Sequence, residues 1–196
     1  GDIVFDAAKS AKCQEAALLF SAHGQLSHFP ASSWTCYTAN AYEAAGSSNI
    51  ALGTFGPGSV DAFIEDDGSN NTAVGHRRWL LYSRAKQMGT GDVPPSGTSY
   101  AANAIWVIGN NKPAPAPSFV AWPNEGYVPH SLVPGRWSLS YPGADFSQAA
   151  VTMSQGAVNV PLTVLRGTGS NLGDNTLVWE PSGIPASVTK DRPYTV

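Results

Sequence analysis

Residues 112–118 read Lys112-Pro113-Ala114-Pro115-Ala116-Pro117-Ser118, and the hydrophobic pattern changes its period across them. Alternate prolines fix φ and remove backbone donors, so this stretch favours an extended, semi-rigid spacer. Upstream the apolar residues fall mostly at helical spacing; downstream they alternate as in strands. A chain of 196 residues is long enough for one large core or two small ones, and the spacer argues for two. The expected division is a helix-bearing domain over 1–112, a Pro-rich linker at 113–118 and an all-β domain over 119–196.

In the first part, residues 6–22 form the clearest helix, capped by Asp6, rich in alanine and ended by Gly24. Weaker signals place a second helix at 38–45, ending at Gly46. A third runs from Val60 to about Asp66, capped by Ser59 and turning Val60, Phe63 and Ile64 inward. Gly68-Ser69-Asn70-Asn71 is a turn cluster, and strands are expected at 87–93 and 104–108. Beyond the spacer, strands are expected at 137–141, 149–154, 158–165 and 176–179, spaced as in a small sandwich. We read that part as immunoglobulin-like, lacking its last strand.

Charged residues make up only 13% of the chain, which holds 20 glycines, 15 prolines and six tryptophans; this points to a compact, loop-rich extracellular domain rather than a disordered one. Net charge is −3 and the only adjacent basic pair is Arg77-Arg78, so nothing would track a nucleic-acid backbone. No apolar run approaches the roughly 20 residues of a membrane helix. The chain opens at Ile3-Val4-Phe5-Asp6 and stops within Tyr194-Thr195-Val196, as expected of a trimmed piece of a longer secreted precursor. Its two cysteines, Cys13 and Cys36, are most simply one disulfide in an oxidising compartment. Such a loop would stabilise the fold by about 3–4 kcal/mol on the chain-entropy account. The alternative is a pair of buried free thiols. Asn70-Asn71-Thr72 is a glycosylation sequon, meaningful only in a source that glycosylates.

Gly75-His76-Arg77-Arg78-Trp79-Leu80-Leu81 is the run richest in chemistry. As a helix it stacks His76, Trp79 and Leu80 on one side, holding the imidazole at a core edge; by itself this is equally a plain core histidine. Arg77-Arg78 are expected to pair with carboxylates. His23 reads as a solvated helix-end residue and His130 as a lone loop residue. Glu65-Asp66-Asp67-Gly68-Ser69-Asn70 has oxygen ligands for Ca²⁺ but lacks the EF-hand pattern, which favours a solvated turn. Ser47 and Ser48 lack the Gly-x-Ser-x-Gly elbow of a hydrolase nucleophile. Trp122-Pro123-Asn124-Glu125-Gly126-Tyr127-Val128-Pro129 is either an aromatic binding platform or packing for the β domain, with Arg136-Trp137-Ser138-Leu139 as the facing strand.

Four elements then occur in a telling order: His28 after the long helix, Ser47-Ser48-Asn49-Ile50-Ala51 after the second, the Val60-x-x-Phe63-Ile64-x-Asp66 helix, and Gly75-His76. With Met88-Gly89-Thr90-Gly91, this order resembles the CAP superfamily (cysteine-rich secretory protein, antigen 5, pathogenesis-related 1), particularly its bacterial branch, over roughly residues 5–110. The resemblance implies an α+β fold, a three-layer α-β-α sandwich, with a cleft lined by two histidines and two acids. Those positions would be His28, His76 and Asp66, with Ser48 standing where the family usually has glutamate. Glu43 could substitute or point into solvent, and Glu65 would face away from Asp66.

Two imidazoles and a carboxylate, His28, His76 and Asp66, can hold Zn²⁺ or another divalent cation, less tightly without the second acid. The same groups could serve as general base and acid, or simply knit the helices together. The leading expectation is a secreted or cell-surface binding module whose ligand site includes His28, Ser48, Asp66 and His76. Its partner would be a small molecule, lipid, glycan or protein. An extracellular hydrolase and a structural component assembling through the β domain are the alternatives, so enzymatic activity stays open.

Overall fold

The structure, a computed structural model, describes residues 3–109, 119–166 and 171–196, so the proline-rich spacer lies outside the described residues. The chain packs as two units. One takes in the chain up to Phe63 and resumes at Arg84; the other joins Ile64–Ser83 to the C-terminal part.

In the first unit, Asp6 sets the start of α1 (Ala7–His23). Its backbone is extended, and its carboxylate accepts from the amides of Ala8 and Lys9, two donors the first turn cannot satisfy itself. Gly24, at φ +75°, closes the helix with its N–H on the Phe20 carbonyl. Strands β1 (Val4–Phe5), β2 (Ser48–Leu52), β3 (Gln87–Val93) and β4 (Ala102–Trp106) form a sheet in the order β1-β3-β4-β2, with β1 parallel to β3 and the other pairs antiparallel. α1 lies directly on β3. A Cβ at Gly91 would stand 2.1 Å from the Gln14 amide nitrogen, and one at Gly89 2.5 Å from that of Ser10. The same approach lets α1 serve the β3 edge beyond short β1. Gln14 accepts from the Asp92 amide and donates to its carbonyl, and Ser10 Oγ accepts from the Thr90 amide. Cys13, Ala16, Ala17, Leu19 and Phe20 of α1 form the core with Ala41, Ala44 and Ala45 of α2 (Ala39–Ser47) and Ala102, Ala104 and Trp106 of β4. Asn103 and Ile105 of β4 are buried as well, so both faces of that strand are covered, consistent with a layered sandwich.

Several boundaries differ from expectation for local reasons. α2 runs through Gly46 straight into β2. α3 (Pro57–Glu65) starts at Pro57, whose fixed φ suits a first helical position; Ser59 is therefore buried inside the helix rather than capping it, and Val60 is exposed. The expected disulfide does not form. Cys13 is buried on the sheet-facing side of α1, with its sulfur 3.6 Å from Ser48 Oγ, whereas Cys36 is an exposed loop residue at φ +61°. Nearness in sequence did not bring the two thiols together, and both are free.

In the second unit, β5 (Val120–Trp122), β6 (Trp137–Ser140), β9 (Leu162–Leu165) and β10 (Thr176–Pro181) make an antiparallel sheet in the order β5-β6-β10-β9. Trp122 lies opposite Ser138, so the aromatic stretch pairs with the strand expected to face it. Trp137 and Trp179 are register partners and, with Met153 and Leu177, form the core. The strand expected at 158–165 is split into β8 (Val158–Asn159) and β9 because Pro161 has no N–H for a ladder. Of 149–154 only the end is strand, in β7 (Ser154–Gln155), which pairs with β8. The remaining helix, α4 (Gly75–Leu80), belongs to this unit.

Candidate functional site: an Asp–His pair between α3 and α4

α3 ends at Glu65, and Asp66 turns the chain at φ +50°. The loop closes through Gly68 and Asn71, and Val74 enters α4 at φ +45°. Aspartate tolerates left-handed backbone, but a β-branched valine there is strained, at a cost of about 1–3 kcal/mol. That strain is held because the surroundings over-determine the loop. Val74 supplies no side-chain cap to α4. The buried Asp66 carboxylate does so instead, Oδ2 accepting from the backbone amides of His76 (2.9 Å) and Arg77 (3.3 Å). Its other oxygen, Oδ1, accepts from His76 Nδ1 at 2.7 Å. In the neutral ring this makes Nδ1 the protonated nitrogen and puts the lone pair on Nε2. The His76 side chain is 31% exposed while that of Asp66 is sealed, so an oriented imidazole stands at the surface on a buried carboxylate.

Arg77 is the residue that sequence reasoning misread. Helical spacing predicted Trp79 and Leu80 as the buried side of α4, yet both are only half-buried, while Arg77 is 1% exposed and Arg78 is buried too. Instead of pairing with carboxylates, Arg77 donates to backbone carbonyls. Nε reaches Ile64 O (2.5 Å), Nη2 reaches Glu65 O (2.8 Å), and Nη1 reaches Arg136 O (2.8 Å) and Ser138 Oγ (3.2 Å). Burial pulls its pKa down to about 10; Asp66 and Glu65 oppose that shift and Arg136 adds to it. Arg78 Nη2 donates to the Asp174 carbonyl. The one available signal was compositional: two adjacent arginines in a charge-poor chain.

The other expected site residues fall as follows. His28 lies after α1 in the first unit, exposed, its Nδ1 donating to the Ala45 carbonyl at 2.7 Å. Ser48 is buried at the start of β2 opposite Trp106, near the Cys13 sulfur. Glu43 is bound by Lys12 Nζ at 2.6 Å, and Glu65 is exposed. His23 stacks on Trp34 with ring centroids 4.2 Å apart instead of standing in solvent. His130 begins a 3-10 turn beside a groove of about 380 Å³ walled by Val133, Pro134 and Ile184.

Of the expected cation set, His28 belongs to the first unit, and Asp66 and His76 belong to the second. Among the described residues no three His, Cys, Asp or Glu side chains gather as a metal requires. The Asp66 oxygens already accept three donors, and each histidine has its Nδ1 on an acceptor. The acidic run 65–70 is likewise a turn, Asp66 drawn inward and the Asp67 carbonyl taken by Asn71 Nδ2.

No helix among the described residues is long and apolar enough to cross a membrane. Comparison with curated proteins and with solved structures gives no match. A family model does match: that of CAP, the cysteine-rich secretory protein family, over residues 2–110, more than half of the chain and inclusive of the Asp66–His76 pair. With that match added to the order of its helices, glycine-rich strand and histidines, the chain belongs to the cysteine-rich secretory protein (CAP) family.

Proposed function

We propose that this CAP-family chain is a secreted binding protein whose recognition site is organised around Asp66 and His76. The observation that carries the reading is the surface imidazole fixed by a buried carboxylate, with left-handed backbone at both ends of the loop. An unoriented surface histidine spends free energy on ordering when a ligand arrives; one already held by Asp66 does not, so hydrogen bonding to it discriminates better. The fitting ligand class is a small molecule, glycan or lipid headgroup that hydrogen-bonds to the ring. Secretion rests on the family's description and on the scarcity of charges, no longer on a disulfide. We read the C-terminal antiparallel sheet as the immunoglobulin-like part, on its strand order alone.

The test is a panel of sterols, phospholipids and oligosaccharides titrated into the wild type and His76→Ala. A true ligand perturbs the His76 ring signals and loses about tenfold or more in affinity in the variant, about 1.4 kcal/mol. Ligands that bind both proteins equally, or leave His76 unmoved, overturn the reading. A hydrolase is the second reading, because an Asp-oriented imidazole is also the general-base half of a nucleophilic site. It requires turnover of ester or peptide substrates that His76→Ala abolishes.

A further inference from the structure

We propose that Arg136, at the entry to β6, is a positioning residue for the Asp66–His76 pair, so that the C-terminal sheet sets the geometry of the family site. This rests on the reading of that pair as the working site. Helix α3 ends without a glycine cap, leaving its last carbonyls in need of donors. Two guanidiniums supply them. Arg77 takes Ile64 O and Glu65 O, and Arg136 Nη1 takes Gly68 O at 2.8 Å and Asp66 O at 3.3 Å. The two arginines are themselves joined, since the Arg136 carbonyl accepts from Arg77 Nη1 at 2.8 Å. A ring of bonds therefore runs from the Asp66 carbonyl through Arg136 to Arg77, and back to Asp66 Oδ2 through the Arg77 amide. Arg136 is anchored in turn to β10, its Nε 2.9 Å from Glu180 Oε1, while Ser138 on β6 accepts from Arg77.

The left-handed turn at Asp66 aims its carboxylate at His76, and Arg136 grips the carbonyl on the same residue. Release of that carbonyl frees the left-handed turn to shift, and the carboxylate moves with it. Neither arginine has to touch the imidazole for this to act; it works through the backbone of Asp66. Lysine is a poor replacement, because one ammonium cannot span Glu180 and two carbonyls as a planar fork does.

The experiment uses the full chain labelled with ¹⁵N-histidine, with the rings neutral. In the wild type the His76 ring shows a protonated Nδ1 and an unprotonated Nε2. In Arg136→Gln the two nitrogen signals converge toward those of an unbiased ring, and exchange of the His76 amide rises about tenfold or more. Glu180→Gln, which frees Arg136 from β10 but keeps the guanidinium, gives a smaller change in the same direction. The His28 ring signals stay put in every variant; a loss of stability alone would lower the unfolding temperature and leave the tautomer of the folded protein unchanged. A folded Arg136→Gln protein that keeps the wild-type His76 tautomer and exchange rate overturns the proposal. If Arg136→Gln does not fold, Arg136→Lys and Glu180→Gln decide by the same criteria. A wild-type ring protonated on Nε2 instead refutes the pair itself, which separates failure of the underlying reading from failure of this one.

Discussion

Gly91→Ala probes the closest packing in the first unit. The added methyl would lie 2.1 Å from the Gln14 nitrogen, 2.2 Å from the Cys13 carbonyl carbon and 2.4 Å from Gln14 Cα. All three are backbone atoms in the middle of α1, so no side-chain rotation relieves the overlap. Ordinary contacts between such atoms are about 3.5–4.0 Å, so α1 has to retreat by roughly 1.5 Å at this point. That retreat breaks the paired bonds of Gln14 with Asp92 and opens a gap under Cys13, Ala16 and Ala17. Two hydrogen bonds at about 1 kcal/mol each, plus an overpacking cost of about 1–3 kcal/mol, put the loss at about 3–5 kcal/mol. Urea unfolding followed by circular dichroism measures it. Gly58→Ala is the control: it lies in α3, with Thr54 Oγ1 at 3.5 Å as the nearest atom, and should stabilise by up to about 1 kcal/mol. If Gly91→Ala costs under about 1 kcal/mol, α1 does not rest on the β3 backbone and the close approach drawn here is wrong.

Asp66→Asn replaces a group that accepts three bonds by an amide whose NH₂ must face either the two backbone N–H donors or the imidazole, which then meets it only as the other tautomer. Since bonds to charged groups are worth about 1.5–3 kcal/mol each, a loss near 3 kcal/mol is expected, with the His76 tautomer scrambled; an unchanged unfolding midpoint refutes it. Arg77→Met strands the carbonyls of Ile64, Glu65 and Arg136 and should cost about 3 kcal/mol or more, whereas a change below about 1 kcal/mol would mean those carbonyls are otherwise satisfied. The free thiols should differ in the native protein: an alkylating reagent labels Cys36 alone, both label after unfolding, and two native labels or none reject the assignment. Burial raises the Cys13 pKa above its ordinary 9.0, so above that pH the unfolded chain ionises first and binds fewer protons than the folded one. Stability held at neutral pH therefore declines as pH rises beyond about 9, and a flat urea midpoint to about pH 10 counts against a buried thiol.

The features legible in the sequence are those whose cause lies within a few residues. Asp6 and Gly24 bound α1 because a cap and a left-handed stop act locally. Met88-Gly89-Thr90-Gly91 was legible as a glycine-rich strand, though not its close approach to α1, and the order of His28, Asp66 and Gly75-His76 carried the family. Pro161 was an equally local signal, and its break in the strand could have been read. What escaped was long-range polar accounting. The burial of α4 runs opposite to its apolar spacing because carbonyls at the end of α3 need donors, and Arg77 is placed to give them. No periodicity encodes that demand, since it arises only when an element distant in the chain leaves acceptors without partners. The same accounting bears on the expected cation set. His28, Asp66 and His76 are the right residue types for a metal, but the Asp66 oxygens go to an imidazole and two amides, one backbone group of which belongs to Arg77. Residue type thus proposes a ligand, and the backbone's unsatisfied groups decide whether it is left over to bind one.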